Sequence, residues 1–485
     1  MNDHESGLPG KILSGKIVRN LMQPRSSIPA PSFPDRTPGL RRRREFLKAI
    51  AAGALPMIGG SLRAVAPGTR VAVVGAGMAG LAAVDRLSRA GVETVLVEAR
   101  DRIGGRVWTA APGIDLGASW IHGPVGNPLV PLAEAAGAKR VPFLWNRYEF
   151  YENGALLPPA EAREIDQIYD RLLAHVRREG RRAGNGARLS LAIDSFARGL
   201  PASQRRLLGH VVTSYLTHEY AADPRRLSLG WFDEGANLRG TDQLVPTGYS
   251  GIFDALREAD ETHLSRPVRT IRHSTGGVVL ETDAGDVTAD AAVITVPLGV
   301  LKLGTPVFDP PIGGGQALAI QRLGMGTLNK IHLRFPRVAW PRRVHAFGRI
   351  NRSRLWAEWV NFVPINGAAA LMGFNAGSLA ERLEQKSDSA ILASAMDALR
   401  ETFGRSFPSP LAARITRWHS DPWARGSYSS LAPGSTPRDR RALATPVHER
   451  LLFAGEACSV ESPAMVHGAY RSGVAAADYL LATLA

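Results

Sequence analysis

Residues 71–98 constrain the fold more than any other part of this chain, because a strand, a turn, a helix and a second strand follow one another without a break. The apolar runs at 71–74 and 92–97 have the length and the β-branched content of buried parallel strands. Between them, the spacing of apolar residues predicts a helix from about 78 to 90, which Gly91 ends. This order predicts one βαβ unit of a Rossmann-like sheet.

The turn of this unit has the spacing G-x-G-x-x-G at Gly75, Gly77 and Gly80. Gly75 permits the tight turn, Gly77 lets the backbone approach a pyrophosphate, and Gly80 lets the helix pack closely on the strand. Glu98 ends the second strand, where a carboxylate can bind a ribose hydroxyl. Because these features occur in register, they favour dinucleotide binding over a glycine-rich turn in an unrelated α/β protein. They do not by themselves distinguish FAD from NAD.

The continuation of this segment, EARDRIGGRVWT at 98–109, resembles the flavin-containing amine oxidase family. The resemblance extends in blocks to about residue 482. The further blocks are DLGASWIHG (115–123), VPTGYSGIFDAL (245–256), VRTIRH (268–273), AAVITVPLGVLK (291–302) and LLFAGEACSVESPAMVHGAYRSGVAAADYLL (451–481). The sequence has no second G-x-G-x-x-G, which favours reoxidation by O2 or another acceptor over reduction by NAD(P)H.

The resemblance implies non-covalent FAD and no metal. Ser427 occupies the position of the cysteine that attaches FAD in mammalian monoamine oxidases, and Cys458, the one cysteine of the chain, lies elsewhere. The resemblance assigns phosphate and ribityl contacts to 104–106, a backbone contact with adenine to Val268, and a pyrophosphate or ribityl contact to Glu456. The full set of implied FAD-binding residues is Gly75, Gly77, Ala79, Gly80, Glu98, Ala99, Arg100, Gly104, Gly105, Arg106, Gly117, Ala118, Ser119, Trp120, Val268, Trp418, Gly455, Glu456, Met465 and Val466.

The same resemblance implies an α/β protein whose Rossmann-like FAD-binding domain is assembled from discontinuous segments, with an α+β substrate-binding domain interleaved. After a leader at 1–66, we expect the FAD-binding domain at 67–133, 241–305 and 441–485, and the substrate domain at 134–240 and 306–440. The first substrate segment is rich in helical patterns. The second mixes strand patterns with a helical stretch around 378–402.

Oxidation of an amine moves a hydride equivalent from the carbon beside nitrogen to flavin N5, so the protein must bind, desolvate and orient the amine. By resemblance, Lys330 holds a water against flavin N5, and it begins an alternating strand pattern. His122 matches a polar residue that faces the substrate amine, and Glu219 matches a carboxylate that attracts a distal ammonium. Tyr428 matches a tyrosine of the aromatic cage over the flavin, with Trp423 nearby. Each of these residue types also occurs in purely structural roles.

The match to monoamine oxidases is incomplete, because the second cage position holds Met465 instead of tyrosine. The preferred hypothesis is a polyamine oxidase-like enzyme that converts an amine to an imine, which hydrolyses to an aldehyde, while O2 becomes H2O2. An L-amino-acid oxidase, which needs an arginine for the substrate carboxylate, is one alternative. An amine dehydrogenase with a different acceptor and a non-catalytic FAD-stabilised binding protein are the others.

The formal net charge of +15 does not indicate a nucleic-acid partner. Residues 1–66 contain 11 Lys and Arg against 4 Asp and Glu, so +7 of the +15 lies in this leader. The remaining +8 is spread over the rest of the chain without a long basic run. We therefore expect a small-molecule amine and O2 as partners, and no nucleic acid.

The leader itself resembles an export signal. RRREFLK at 42–48, with Arg43 and Arg44 as the pair, matches the twin-arginine signature, and the apolar run of 14 residues after it is too short to span a bilayer. AVA at 64–66 offers a cleavage site, although the proline after it is unfavourable, so retention as an anchor is the alternative. We expect a bacterial enzyme that folds around FAD in the cytoplasm and reaches the periplasm through the twin-arginine translocase.

Overall fold

The computed structural model describes residues 65–485. The twin-arginine pair and the apolar run that follows it therefore lie outside the described residues. The largest sheets of the described chain have five, four and seven strands.

The five-stranded sheet is parallel and contains the predicted βαβ unit. In order across the sheet, its strands are Glu261–His263, Glu93–Val97, Arg70–Val74, Ala291–Ile294 and Leu451–Phe453. Val71 and Val73 face the helices Met78–Ser88 and Val466–Thr483, whereas Ala72 and Val74 face the opposite side. Both faces are covered, which explains the continuous apolar runs. The predicted unit is confirmed, and its helix ends at Ser88 instead of 90.

The four-stranded sheet covers the second face of the parallel sheet. Its strands, in order, are Val287–Ala289, Gly277–Thr282, Val268–Ser274 and Val307–Asp309. The helices Gly314–Arg322 and Pro437–Leu443 pack into the same core through Ala319 and Leu443. This part of the molecule therefore continues past residue 305, where the sequence suggested a change to the substrate domain, because Ala319 and its neighbours bury apolar surface here.

The seven-stranded sheet lies in the segments expected to bind substrate. In order, its strands are Ala412–Ile415, Leu328–Arg334, Ala370–Ala376, Glu358–Asn361, Ala346–Ile350, Tyr148–Glu152 and Ala155–Leu156. All neighbours are antiparallel except Ala346–Ile350 and Tyr148–Glu152. The helices Gly377–Leu383 and Asp388–Phe403 follow in the chain, and the second packs its Ile391, Ala395 and Leu399 stripe into the core of this sheet.

Helices dominate residues 159–226, as predicted. Ile165, Ile168, Leu172 and Val176 form the buried stripe of the longest helix. The consecutive elements are Pro159–Arg182, Leu189–Arg198, Ala202–His210, a π-helix at Val211–Thr217, His218–Tyr220 and the 3-10 turn Pro224–Arg226.

The remaining elements are short and line or connect these layers. The strands are Thr109–Ala111, Ile114–Asp115, Trp120–Ile121, Val141–Pro142, Gln243–Leu244, Gly324–Gly326 and Tyr428–Ser430. The helical turns are Leu129–Ala135, Tyr249–Ala255, Leu298–Leu301, Val363–Asn366 and Glu456–Cys458. Among residues 65–485, no helix has the length and apolar content needed to cross a membrane.

Candidate active site

The glycine turn after the first strand has the geometry that a dinucleotide requires. Gly75 has φ +101°, and a Cβ on Gly80 would lie 1.9 Å from the Gly75 carbonyl oxygen, so both positions need glycine. A Cβ on Gly77 would meet nothing within 4 Å, which leaves open space before the first turn of the helix Met78–Ser88. Glu98 is buried, and its carboxylate accepts from the amides of Ala76 (2.7 Å) and Arg100 (2.8 Å).

A cleft of about 340 Å³, partly open to solvent, runs from this turn to the face of the seven-stranded sheet. Every residue predicted to bind FAD lines it except Gly80, which lies behind the turn and sets the packing of helix on strand. Lys330, His122, Glu219 and Tyr428 line the same cleft. The structure thus brings together residues from seven separate segments of the sequence. Open space at Gly77 and the helix N-terminus that lines the cleft fit a pyrophosphate.

A buried ionic chain supports the cleft beside Gly455. Arg106 Nη1 donates to Glu456 Oε1 at 2.8 Å, and Ser429 Oγ donates to Glu456 Oε2 at 2.5 Å. Arg440 Nη1 donates to Ser429 Oγ at 2.7 Å, and its other nitrogens donate to Glu234 Oε1 at 2.8 and 2.6 Å. Burial raises the pKa of Glu456, but the two arginines outweigh it and the pKa is lowered. Glu456 is therefore held as an anion.

Lys330 is buried between the two ends of the cleft. Its Nζ donates to the carbonyl oxygens of Asp115 (3.2 Å) and Gly117 and to Ser119 Oγ (2.7 Å), so its ammonium holds the loop that forms one wall. Burial lowers the pKa of Lys330 to about 8, against a smaller opposing effect of the Asp115 carboxylate. The predicted strand and the burial of Lys330 within it are confirmed, and both faces of Leu328–Arg334 are buried, including the polar residues Asn329 and His332.

His122 lies at the substrate end of the cleft, and a buried carboxylate outside the cleft holds its ring. Its Nδ1 is 3.3 Å from Asp242 Oδ2, and Asp242 also accepts from Trp145 Nε1 (3.1 Å) and from the amide of Gly123 (3.1 Å). Burial acts to lower the pKa of His122, but the Asp242 carboxylate and the charge of Glu219 outweigh burial and raise it. Asp242 was not predicted, because a single aspartate before the segment 245–256 has no pattern that indicates a contact with His122.

Strand pairing places three cleft residues in one row. Lys330 is directly opposite Phe374, and Phe374 is directly opposite Glu358, so the three side chains share one face of the sheet. Since neighbouring strands are about 4.8 Å apart, Lys330 and Glu358 are about 10 Å apart along this face. Glu358 is 4% exposed and lies 3.3 Å from His218 Nδ1. Glu358 was not predicted, because its position depends on the pairing of distant strands.

Aromatic rings complete the substrate end. Lys330 Nζ lies 5.7 Å from the ring centre of Trp120 and 5.9 Å from that of Phe374. Tyr428 donates from its hydroxyl to the His218 carbonyl at 2.6 Å, which fixes its ring at the cleft wall. Trp423 and Met465 also line the cleft, and Met465 directly precedes the helix Val466–Thr483.

Ser427 and Cys458 are the two residues that bear on the predicted absence of a covalent bond to FAD. Ser427 lines the cleft, and its hydroxyl donates to the Leu328 carbonyl at 2.9 Å. Cys458 is buried, and burial raises the pKa of its thiol to about 12, so this thiol is unreactive near neutrality. Within residues 65–485, no group of three or more His, Cys, Asp and Glu side chains is arranged to hold a metal ion.

Comparisons with known proteins agree with this site. Residues 78–481 match the family described as flavin containing amine oxidoreductase. Polyamine oxidase 4 of Oryza sativa subsp. japonica is 32% identical over 430 residues, which cover 84% of this chain and 88% of that protein. Lysine-specific histone demethylase 1 homolog 2 of the same plant is 32% identical over 433 residues, which cover 85% of this chain. This chain spans only 57% of that demethylase homologue.

Solved structures share the fold. A redesigned double mutant of putrescine oxidase superimposes with a TM-score of 0.70 at 21% identity, covering 86% of this chain and 100% of that one. Wild-type putrescine oxidase bound to putrescine gives a TM-score of 0.69 at 20% identity, covering 85% of this chain and 99% of that one. Because the family match extends over residues 78–481 and the cleft retains the dinucleotide turn, the chain belongs to the flavin-containing amine oxidoreductase family, with FAD as its cofactor.

Proposed function

We propose that this protein is an FAD-dependent oxidase of diamines or polyamines. The row formed by Lys330, Phe374 and Glu358 carries this proposal, because it places a buried carboxylate about two strand spacings from the lysine. A substrate with two cationic nitrogens can leave one against Glu358 while the carbon beside the other is oxidised. The names of the plant relative and of the structural neighbour, a polyamine oxidase and a putrescine oxidase, support this substrate class.

When bound, FAD accepts a hydride from the carbon beside the substrate nitrogen. The protein supplies binding, orientation and exclusion of water. Trp120, Phe374 and Tyr428 form apolar walls, and because burial of an ammonium against them costs free energy, they favour the neutral, reactive amine at the oxidised end. The resulting imine takes up water and is hydrolysed to an aldehyde and the remaining amine, and O2 receives two electrons and two protons to become H2O2. FAD is held without a covalent bond, because the matching side chain is Ser427.

The alternative of an L-amino-acid oxidase is disfavoured by the position of the arginines. Among the described residues, the arginines that line the cleft are Arg100, Arg106 and Arg266. Arg100 pairs with Asp421, Arg106 with Glu456, and Arg266 donates to Thr282 and nearby carbonyls. All three lie toward the cofactor end, so none is placed to bind a substrate carboxylate.

A substrate panel tests the proposed function. Purified protein is mixed with putrescine, a longer polyamine, monoamines and L-amino acids, and H2O2 is measured. We expect Glu358→Gln to lower kcat/KM for the diamine by about tenfold or more, because the buried charge that holds the second ammonium is lost. Glu219→Gln also removes a carboxylate of the cleft, but Glu219 is exposed to solvent, so this change should have a smaller effect. Turnover of L-amino acids alone would contradict the proposal.

We further propose that the enzyme is exported by the twin-arginine translocase and acts in the periplasm of a bacterium. The support is the sequence RRREFLK at 42–48 and the need of FAD for a folded binding site before transport. Replacement of Arg43 and Arg44 by lysine should retain the protein in the cytoplasm, as measured by cell fractionation. Unchanged export of this variant would refute the route.

A further inference from the structure

A second cleft, of about 690 Å³, lies against the π-helix Val211–Thr217. Val212, Thr213 and Thr217 line this cleft, whereas Ser214 and the following His218 line the active-site cleft. One helical stretch therefore separates the two clefts and presents a different face to each. π-Helical turns are rare and occur frequently at functional sites.

Four arginines from four separate segments surround the second cleft: Arg205, Arg225, Arg354 and Arg382. Two carboxylates, Asp194 and Asp223, oppose them. Asp223 is already engaged, since it accepts from the amide of Ser378 at 3.3 Å and lies 3.5 Å from Arg225 Nη2. The rim therefore has an excess of positive charge.

Two of these guanidinium groups have no acidic partner in the described part of the chain. Neither Arg354 nor Arg382 forms an ion pair with a carboxylate of residues 65–485, and each offers five N–H donors. The floor between them is largely apolar, with Ile193, Leu208 and Leu379. Thr213 and Thr217 donate their hydroxyl hydrogens to the backbone of their own helix. The cleft thus combines cationic donors at the rim with an apolar floor.

We propose that this second cleft binds small anions that carry two or more carboxylate or phosphate groups. Guanidinium groups bind both oxyanions through paired, charge-assisted hydrogen bonds. The second cleft takes no part in the oxidation itself, but the shared π-helix connects it to Ser214 and His218, which line the active-site cleft. A bound anion that shifts this helix therefore changes the KM for the amine.

Calorimetric titration of the FAD-loaded protein with inorganic pyrophosphate and, separately, with citrate tests the site. The protein must carry FAD, because FAD then occupies the glycine turn at 75–80, where added pyrophosphate could otherwise bind. We expect saturable binding that weakens by about tenfold or more in the double variant R354A/R382A. The matched variant R342A/R343A removes the same charge from an exposed loop outside the cleft and should bind like wild type. Asp194→Asn should bind more tightly, because it removes an opposing charge.

Absence of saturable binding, or an equal loss in both double variants, would overturn the site, since either result means nonspecific attraction to a basic surface. The amine KM, measured with and without pyrophosphate, tests the connection through the helix. We expect a change in wild type that disappears in R354A/R382A. A change in KM of equal size in R354A/R382A would refute the connection between the two clefts, because such a change would come from pairing of pyrophosphate with the amine in solution.

Discussion

Asp242 Oδ2 lies 3.3 Å from Nδ1 of His122, and Asp242 itself is 1% exposed. Burial acts to lower the pKa of His122, but the Asp242 carboxylate outweighs burial and raises this pKa. In return, His122 lowers the pKa of Asp242. His122 is therefore cationic over a wider pH range than an isolated histidine. The raised pKa of His122 stabilises the folded protein, and this stabilisation is complete at pH values below the pKa of histidine in the unfolded chain. The stabilisation is lost as the pH rises through the pKa of His122 in the folded protein.

Asp242→Asn should move the ionisation of His122 to lower pH, because burial then acts without the opposing carboxylate. We expect the corresponding inflection in the pH dependence of kcat/KM to shift downward. The variant His122→Gln should lack this inflection in either background. An unshifted inflection in Asp242→Asn would show that the carboxylate does not control His122.

Lys330→Met should lower amine turnover by about 100-fold or more while FAD stays bound, because the group that holds the cleft wall is removed. Burial lowers the pKa of Lys330 from 10.5 to about 8, so an inflection near this pH should disappear from the turnover profile. In the unfolded chain, Lys330 keeps its proton up to a higher pH than in the folded protein. The stability of wild type relative to Lys330→Met should therefore rise with pH between about 8 and 10.5, as measured by urea unfolding.

Arg440→Met should destabilise the protein by about 3–5 kcal/mol, because Arg440 is fully buried and its loss leaves Glu234 without its partner. Burial raises the pKa of Glu234 and Arg440 opposes this effect, so the destabilisation should be smaller in acid, where Glu234 takes up a proton. Urea unfolding at several pH values measures it. The double change Glu234→Leu with Arg440→Met should restore most of the stability. No recovery in the double variant would contradict the pairing.

The two glycines of the nucleotide turn should respond differently to alanine. A Cβ on Gly77 meets no protein atom within 4 Å, and its φ of −77° suits alanine, so Gly77→Ala should fold like wild type and lose FAD. A Cβ on Gly80 would lie 1.9 Å from the Gly75 carbonyl oxygen, so Gly80→Ala should destabilise the apoprotein itself. Flavin content and thermal unfolding of the apoproteins separate the two effects. If Gly77→Ala and Gly80→Ala lost equal stability, the open space at Gly77 would not be the place where FAD binds.

Local patterns in the sequence predicted the βαβ unit well, because residues 70–97 pair with one another in the order of the chain. The family resemblance predicted which residues line the cleft, including Lys330, His122 and Glu456. The strand Leu328–Arg334 with its buried lysine was also predicted, but the alternation of polar and apolar residues in it did not reveal that both of its faces are buried.

Supporting residues could not be predicted, because their roles arise from distant pairing. Glu358 reaches the site through the register of three strands. Arg440 meets Glu234 across 206 positions of sequence, and arginine is ordinarily expected at the surface. Asp242 acts through His122, and a single aspartate in a loop gives no signal of such a role.

Anaerobic titration of the purified, FAD-loaded protein with putrescine tests the account most directly. The visible absorption of the bound flavin reports electron transfer from substrate without dependence on the later acceptor. We predict that putrescine or a longer polyamine bleaches this absorption, that Glu358→Gln requires a much higher putrescine concentration, and that admission of air restores the colour with formation of H2O2. The account would be contradicted if L-amino acids reduced the flavin and diamines and polyamines did not.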